Sequence, residues 1–294
     1  MDNAIRKAEA LVEALGYIRT FRDCVTVIKL GGSAMEDPVA LRATLQSVVF
    51  LQAVGLVPVL VHGGGKPIDR AMAASGFVPR KVQGRRYTDD ATLRIVVDVL
   101  TNEINAGIVR QLRELGGRAV GLHSGPQQAL RGERLTLPNP GGEPIDLGHV
   151  GQVTRVDCQL LREITNGHIV PVLPSLAVDA AGGWLNVNAD TAACAVAAAL
   201  KATKLVMLTD TPGILRNAKD PASLIAQLDA AQCQRLIDAG AIDGGMIPKV
   251  EACFDALRAG VGTVHVIDGR RPYSLLLEIF TDQGVGTAMK LEAH

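Results

Sequence analysis

Six short apolar runs, separated by helix-like stretches, constrain the fold of this chain more than any other feature. They read VTVIKL, LVPVLV, RAVGL, HIVPVL, KLVMLT and TVHVI, at 25–30, 56–61, 118–122, 168–173, 204–209 and 263–267. Since polar and apolar residues do not alternate in them, we expect them to be buried on both faces, as parallel strands are. The sequence predicts an α/β fold, a three-layer α/β/α sandwich with a mainly parallel central sheet.

Helical periodicity fills most of the gaps between these runs. One helix is expected to begin near Asp37-Pro38, since proline is favoured in the first helical turn. Others are predicted over about 88–115, 189–202, 229–239 and 248–260. The stretch 127–157 interrupts the alternation, and its Pro/Gly turn between strand-like segments predicts β-hairpins inserted beside the ligand site.

Composition narrows the class of protein. The 294 residues include 30 basic and 30 acidic side chains, so neither nucleic acid nor an anionic membrane is an expected partner. The uncharged stretch 43–65 contains glutamines, Gly55 and Pro58, which favour a helix, a turn and a buried strand over a membrane span. Five scattered cysteines without a C-x-x-C pair, and no secretory signal, predict a soluble cytoplasmic protein with reduced thiols and no zinc site.

Glycine clusters follow the first two predicted strands, in KLGGS (29–33) and VHGGGK (62–66). Glycine lets backbone N–H groups approach an anion, and ligands of parallel α/β folds bind at the carboxyl ends of the strands. The sequence has no G-x-x-x-x-G-K-[ST], G-x-G-x-x-G, H-R-D or D-F-G motif, which disfavours a P-loop enzyme, a Rossmann dehydrogenase and a protein kinase. His62 has no metal-ligand spacing to another histidine, so a structural role is expected for it.

Isolated charges lie at the ends of several predicted elements. Asn188 or Asp190 is expected to cap a helix, and Lys249 lies just inside another one. Two lysines, Lys29 and Lys249, with glycine loops and one acid are what phosphoryl transfer needs, because the transferred group carries spread negative charge. An aspartate between the ammonium groups would hold both in place and keep them charged. The residues alone indicate a small-molecule kinase.

Six motifs establish a resemblance to a known family. KLGGSAM, VHGGGKPID, GRRYTD, NVNAD, LTDTPGIL and DGGMIPK occur in the order and spacing of the amino acid kinase family, over nearly the whole chain. The chain most resembles the members that act on N-acetyl-L-glutamate. The resemblance implies a carbamate kinase-like fold and ATP-dependent phosphorylation of the acetylglutamate side-chain carboxylate to N-acetyl-L-glutamyl 5-phosphate, in arginine biosynthesis. Mg²⁺ would be held chiefly by the ATP phosphates, and the resemblance assigns it no protein ligand here.

The resemblance also implies roles for individual residues. The catalytic set would be Lys29 and Lys249 at the transferring group, Asp190 orienting them, and Gly32 and Gly64 donating N–H groups. The set that binds acetylglutamate would be Gly64, Gly65, Arg86, Asn186 and Asn188, with Arg86 gripping the α-carboxylate as a bidentate fork. The set that binds ATP would be Asp210, Thr211, Gly213, Ile214, Leu215, Ala241, Ile242 and Asp243.

The two ends of the chain resemble arginine-inhibited, hexameric members of the family. An N-terminal apolar stripe packs either on its own domain or on another subunit, and EALGYIRTF (13–21) favours the second alternative. With LLLEIFTDQGVGT (275–287) it implies inhibition by L-arginine, a homohexamer built as a trimer of dimers, and an effector site at Tyr17, Glu278, Gly284 and Gly286. The expected organisation is an oligomerisation helix (1–20), a lobe for the amino-acid substrate (21–185) and a lobe for ATP (186–294).

Some positions depart from the family pattern. Arg85 and Tyr87 flank Arg86 where these kinases usually read G-x-R-V-T, and RYTD is closer to aminoadipate kinases with a carrier-linked substrate in lysine biosynthesis. Tyr273 replaces a histidine common beside the arginine site. The alternative functions are a carrier-linked aminoadipate kinase, a glutamate 5-kinase, an aspartokinase, or a non-catalytic regulator that binds arginine or acetylglutamate. The presence of both lysines and Asp190 favours an enzyme.

Overall fold

The computed structural model describes residues 2–123, 128–139, 141–217, 220–242, 246–281 and 284–291. Its strands, numbered along the chain, are β1 Val25–Leu30, β2 Val57–His62, β3 Lys81–Val82, β4 Arg85–Arg86, β5 Ala119–Gly121, β6 Leu130–Leu137, β7 Ile145–Val156, β8 Val170–Pro174, β9 Leu176–Val178, β10 Trp184–Val187, β11 Lys204–Thr209, β12 Gln227–Leu228, β13 Thr263–Asp268 and β14 Thr287–Met289. Its α-helices are α1 Asp2–Phe21, α2 Pro38–Ala53, α3 Gly65–Ala74, α4 Asp90–Asp98, α5 Ala106–Glu114, α6 Cys158–Asn166, α7 Ala189–Leu200, α8 Ala230–Asp238, α9 Met246–Arg258 and α10 Ser274–Ile279.

A mainly parallel sheet forms the centre of the molecule. Within the described residues its strand order is β12-β14-β13-β11-β1-β2-β8-β5, and β13 and β14 form its antiparallel pair. The six predicted apolar runs are β1, β2, β5, β8, β11 and β13, each within two residues of the predicted bounds. The prediction of a mainly parallel sheet is therefore confirmed.

Helices cover both faces of this sheet. On one face Val27 and Leu205 join a buried core with α7 and α9, and on the other Ile28 and Val206 join a second core with α2, α5 and α10. The three-layer sandwich is thus confirmed. Because side chains alternate along a strand, Lys29 points to the same face as Val27, the face that α7 covers.

The long helix predicted over 88–115 is interrupted. A π-helix, Val99–Asn105, joins α4 to α5. Since a π turn holds an additional residue, it rotates the following side chains relative to a continuous α-helix, and Asn105 here is fully buried. Apolar periodicity at 88–115 could not reveal this local change of helix type.

The inserted stretch forms an antiparallel hairpin, as predicted. β6 and β7 pair with each other and, together with β9 and β10, form a closed four-stranded ring. Val150 of β7 lines the candidate active-site cleft described below, so the hairpin borders that cleft.

The N-terminal helix α1 is packed on the core at one end and exposed at the other. Near its C-terminal end three residues pack on the core of the same chain: Tyr17, Ile18 and Phe21. Four apolar residues closer to its start are between 43% and 71% exposed: Ile5, Leu11, Val12 and Leu15. The described helices include none that is both long and apolar enough for a membrane span.

Candidate active site

A carboxylate bridges two lysines at the carboxyl edge of the sheet. Asp190 lies in the first turn of α7, above the face of β1 that carries Lys29. Lys249, in the first turn of α9, donates a 2.7 Å hydrogen bond to Asp190 Oδ2. Lys29 Nζ lies 2.8 Å from Asp190 Oδ1, as an ion pair without the alignment of a hydrogen bond. Three positions far apart in the sequence therefore form one ion cluster.

The surroundings of this cluster keep it charged. The exposed fraction of the side chain is 9% for Lys29, 17% for Asp190 and 18% for Lys249. Burial alone would raise the pKa of Asp190, but the two ammonium groups outweigh burial and bring that pKa to about 2. Two ammonium groups and one carboxylate leave one net positive charge, which suits an anionic ligand.

The cluster borders two adjoining clefts of about 270 Å³ and 500 Å³. Lys29 lines the first cleft and Lys249 the second, while Asp190 lines both. Both glycine loops line the first cleft, through Gly31, Gly32, Gly63, Gly64 and Gly65. The predicted proximity of the lysines, the acid and the glycine loops is therefore present in the structure.

Close packing explains why glycine occupies two of these positions. A Cβ atom on Gly31 would overlap the Lys29 ammonium group, and a Cβ on Gly64 would lie 2.7 Å from methyl groups of the π-helix. Gly32 adopts φ +51°, in the left-handed region. Gly31 has no individual role in the expected site; its position directly after the Lys29-Leu30 pair was the available signal.

Arg86 reaches the cleft from β4 and is held in place by α3. Its Nη1 lies 2.6 Å from Asp69 Oδ1, in an ion pair, and donates to the Met72 sulfur at 3.2 Å. Its Nη2 donates to the Gly65 carbonyl oxygen at 3.1 Å. Only 9% of the Arg86 side chain is exposed, so its guanidinium group is ordered before any ligand binds. Sequence reasoning missed Asp69, whose signal was its place one turn after Gly65 on the same helix.

Two asparagines complete the first cleft. Asn188 Oδ1 accepts hydrogen bonds from the backbone N–H groups of Asp190 (2.8 Å) and Thr191 (3.1 Å), so Asn188 is the residue that caps α7. Asn186 Nδ2 donates to Thr88 Oγ1 at 3.1 Å. Both asparagines line the cleft, as expected for them.

The residues expected at the nucleotide follow β11 and α8. Asp210 is exposed and Thr211, Leu215 and Ala241 are partly exposed, whereas Gly213, Ile214 and Ile242 are buried. Ile214 donates its N–H to Thr287 Oγ1 at 2.8 Å, and Ile242 packs in the core. The nucleotide contacts expected of all these residues stay a prediction. Asp243 lies outside the described residues.

The residues expected at the arginine effector lie together, away from the cleft. Glu278 Oε2 accepts backbone N–H bonds from Val285 (2.7 Å) and Gly286 (3.1 Å), and Gly284 packs against the same carboxylate. Tyr17 contacts Phe280, just beyond α10, with ring centroids 6.4 Å apart. The pKa of Glu278 is lowered because bonds from His265 and the backbone outweigh the opposing effect of burial.

The Asp190 carboxylate is already engaged by the protein. Asp190 is the carboxylate that lines both clefts, and each of its oxygens is already in contact with a lysine. The described residues also contain no group of three or more His, Cys, Asp or Glu side chains with the arrangement of a metal site.

Comparisons with known proteins agree with this geometry. Residues 25–268 match the model of the amino acid kinase family. An acetylglutamate kinase from Heliobacterium modesticaldum is 45% identical over 98% of this chain and 99% of its own length. An N-acetylglutamate synthase from Neisseria gonorrhoeae, solved with coenzyme A and N-acetyl-glutamate, is 26% identical to this chain and has a TM-score of 0.85. The match covers 98% of this chain and 64% of the synthase. A carbamate kinase from Giardia lamblia shares the fold, with a TM-score of 0.63 at 16% identity over 92% of this chain and 99% of that one. Acetylglutamate kinases are thus among its curated relatives, and the chain belongs to the amino acid kinase family.

Proposed function

We propose that this chain transfers the γ-phosphoryl group of ATP to the side-chain carboxylate of N-acetyl-L-glutamate, forming N-acetyl-L-glutamyl 5-phosphate in arginine biosynthesis. The observation that carries the proposal is the Lys29–Asp190–Lys249 cluster between two glycine loops, at the edge of the sheet where such folds bind ligands. The acetylglutamate kinases among its relatives support the choice of substrate.

In this reaction an oxygen of the substrate carboxylate bonds to the γ-phosphorus of ATP as the bond to the β-phosphate oxygen breaks and ADP leaves. The attacking carboxylate is already ionised at neutral pH, since its ordinary pKa is about 4, so the reaction needs no general base. This fits a site in which, among the described lining residues, Asp190 is the one carboxylate and contacts two lysines. Lys29 and Lys249 stabilise the charge on the transferring group, and the N–H groups of Gly32 and Gly64 add to this.

Acetylglutamate occupies the first cleft in this proposal. Arg86 binds its α-carboxylate, and Gly64, Gly65, Asn186 and Asn188 supply further polar contacts. The pre-ordered guanidinium group supports this role, because a side chain that is already fixed loses little entropy on binding.

ATP occupies the adjoining region beside Lys249. Its contacts come from two segments, Asp210, Thr211, Gly213, Ile214 and Leu215 after β11 and Ala241, Ile242 and Asp243 after α8. Mg²⁺ arrives bound to the ATP phosphates. The lobe 21–185 supplies most of the acetylglutamate site and the lobe 186–294 most of the nucleotide site. A cytoplasmic location is part of the proposal, in accord with five free cysteines.

Assembly and regulation form the second part of the proposal. Exposed apolar residues on α1, among them Leu11 and Val12, support pairing of the helix 1–20 with another subunit in a homohexamer, a trimer of dimers. L-Arginine would bind near Tyr17, Glu278, Gly284 and Gly286 and inhibit the enzyme. The proximity of Gly284 and Gly286 to the Glu278 carboxylate supports a common site.

ATP-dependent formation of an acyl phosphate, trapped with hydroxylamine, tests the reaction. The assay compares N-acetyl-L-glutamate, glutamate, aspartate and N-acetyl-α-aminoadipate, each with and without arginine. We expect turnover on N-acetyl-L-glutamate alone, suppressed by arginine. Turnover on the aminoadipate analogue would instead show that Arg85 and Tyr87 alter substrate choice, and arginine binding without turnover would identify a regulator.

A further inference from the structure

His62 is a fully buried side chain at the end of β2, directly before the glycine loop. Its ring nitrogen Nδ1 lies 3.1 Å from the carbonyl oxygen of Gly63. Its other ring nitrogen, Nε2, lies 3.0 Å from Nδ2 of Asn105. Since a neutral imidazole donates from one nitrogen and accepts at the other, the partner of Nε2 decides which nitrogen carries the proton.

The contacts of Asn105 indicate which nitrogen of the His62 ring carries the proton. The Nδ2 of Asn105 lies 3.0 Å from the carbonyl oxygen of Val172 in β8 as well as 3.0 Å from His62 Nε2. A carbonyl oxygen only accepts hydrogen bonds, so the NH₂ group and not the amide oxygen of Asn105 must face Val172. The second hydrogen of the same NH₂ group then points to Nε2, which makes Nε2 the acceptor. The proton of the His62 ring therefore sits on Nδ1 and is donated to the Gly63 oxygen.

The π-helix connects this pair to the glycine loop in a second way. Asn105 is the last residue of the π-helix. Methyl groups of Leu100 and Ile104, in the same helix, would lie 2.7 Å from a Cβ atom placed on Gly64. π turns occur frequently at functional sites. The segment Val99–Asn105 thus contacts the loop directly through Gly64 and indirectly through His62.

Packing alone does not account for asparagine at position 105. Its Oδ1 is buried and has no hydrogen-bond partner among the described residues. A leucine has the same branching and number of side-chain heavy atoms without a buried unpaired oxygen, so the NH₂ group is the part of Asn105 that the fold uses.

We propose that His62 and Asn105 position the glycine loop for phosphoryl transfer. A peptide unit is planar and trans, so a hydrogen bond to the Gly63 carbonyl also fixes the opposite direction of the Gly64 N–H group. His62 supplies that bond and Asn105 holds the ring in the required tautomer. Both are positioning residues, and their role rests on the proposed function, in which the Gly64 N–H group binds the transferring phosphoryl group.

Two substitutions of His62 separate positioning from packing. An asparagine side chain places its NH₂ group where Nδ1 lies, whereas a glutamine side chain reaches the place of Nε2. We expect His62→Asn to keep kcat within about threefold of wild type and His62→Gln to lower kcat by about tenfold or more, with little change in KM for ATP. Space filling predicts the reverse order, because glutamine replaces more of the imidazole volume.

The ring tautomer is measured independently of activity, on the wild-type protein without substrates. ¹⁵N-labelled histidine should show a neutral ring protonated on Nδ1, assigned to His62 by its loss in His62→Asn. Asn105→Leu should move the proton toward Nε2 and lower kcat. Ser47→Ala is the matched control. Ser47 is equally buried, on α2, and its hydroxyl donates to the Ala43 carbonyl oxygen within its own helix, so both the tautomer and kcat should stay unchanged.

Opposite results would overturn the inference. A His62 ring protonated on Nε2 in the wild type would refute the tautomer, and equal kcat values for the asparagine and glutamine variants would refute positioning. A wild-type protein that forms no acyl phosphate would refute the proposed function instead, and the tautomer measurement would still report on the hydrogen-bond pair.

Discussion

Replacing Asp190 by asparagine tests the electrostatic argument for the ion cluster most directly. The pKa of Asp190 falls from its ordinary value of 3.8 to about 2 in the folded protein. One pKa unit corresponds to about 1.4 kcal/mol, so ionised Asp190 contributes about 2 kcal/mol to the free energy of unfolding at neutral pH. The substitution Asp190→Asn forfeits this contribution and leaves two ammonium groups facing each other, because Lys29 and Lys249 both remain.

The same argument predicts how the effect depends on pH. A carboxyl group whose pKa is lower in the folded state stabilises the protein above its unfolded pKa, and this stabilisation is lost as pH falls toward the folded pKa. The stability difference between wild type and Asp190→Asn should therefore be constant above about pH 4 and shrink between about pH 4 and pH 2.

Urea unfolding of both proteins at one protein concentration, at several pH values from 7 down to 3, measures this difference. We expect Asp190→Asn to be less stable by about 2 kcal/mol at pH 7 and to lower kcat by about a hundredfold or more. Adding Lys249→Met to Asp190→Asn should restore part of the lost stability, since it removes one of the repelling charges. This account of the cluster would be refuted if Asp190→Asn were as stable as wild type at pH 7. It would also be refuted if the stability difference between the two proteins did not depend on pH.

Further predictions concern the neighbours of the cluster and the N-terminal helix. Lys249→Met should lower kcat by about a hundredfold with KM for acetylglutamate nearly unchanged. The control Lys201→Met, at the exposed end of α7, should leave both kcat and KM unchanged. Equal loss of binding and turnover in Lys249→Met would contradict the role of Lys249. Asp69→Asn should raise KM for acetylglutamate about tenfold with kcat largely kept, because it releases Arg86 from its fixed position, and a fall in kcat alone would contradict this. Deleting residues 1–18 should reduce the oligomer seen by light scattering and abolish inhibition by arginine; an unchanged oligomer and response would contradict the role of α1.

The sequence predicted the parts of the fold that depend on local pattern. Buried strands such as β1 and β11 need continuous apolar runs, and their carboxyl ends must lie at one edge when the sheet is parallel, so the positions of Lys29 and the glycine loops followed from order alone. The start of α2 also followed from local chemistry, since Asp37 caps it through bonds to Val39 and Ala40.

Features that depend on tertiary contacts were not predictable in this way. The partners of Asp69 and Asn105 lie on other elements, so neither the ion pair with Arg86 nor the bonds to His62 and Val172 leave a periodic signal in the sequence. The burial of Ile214 and Ile242 is a similar case, because a loop motif does not state which of its members faces the core.

Lys29 illustrates why local and tertiary information are both needed to understand the site. Its position at the end of an apolar strand is unfavourable for an ammonium group unless an opposite charge is close by, because burial penalises the charged form. That charge comes from Asp190 on α7, 161 positions later in the chain, and Asp190 is itself kept ionised by Lys249. In the proposed function the remaining positive charge acts on a phosphoryl group, and a side chain at Gly31 would displace the ammonium group from its present position. Each member of the site thus depends on another for its charge or its position, so Gly31→Ala should reduce turnover although it removes no charged group.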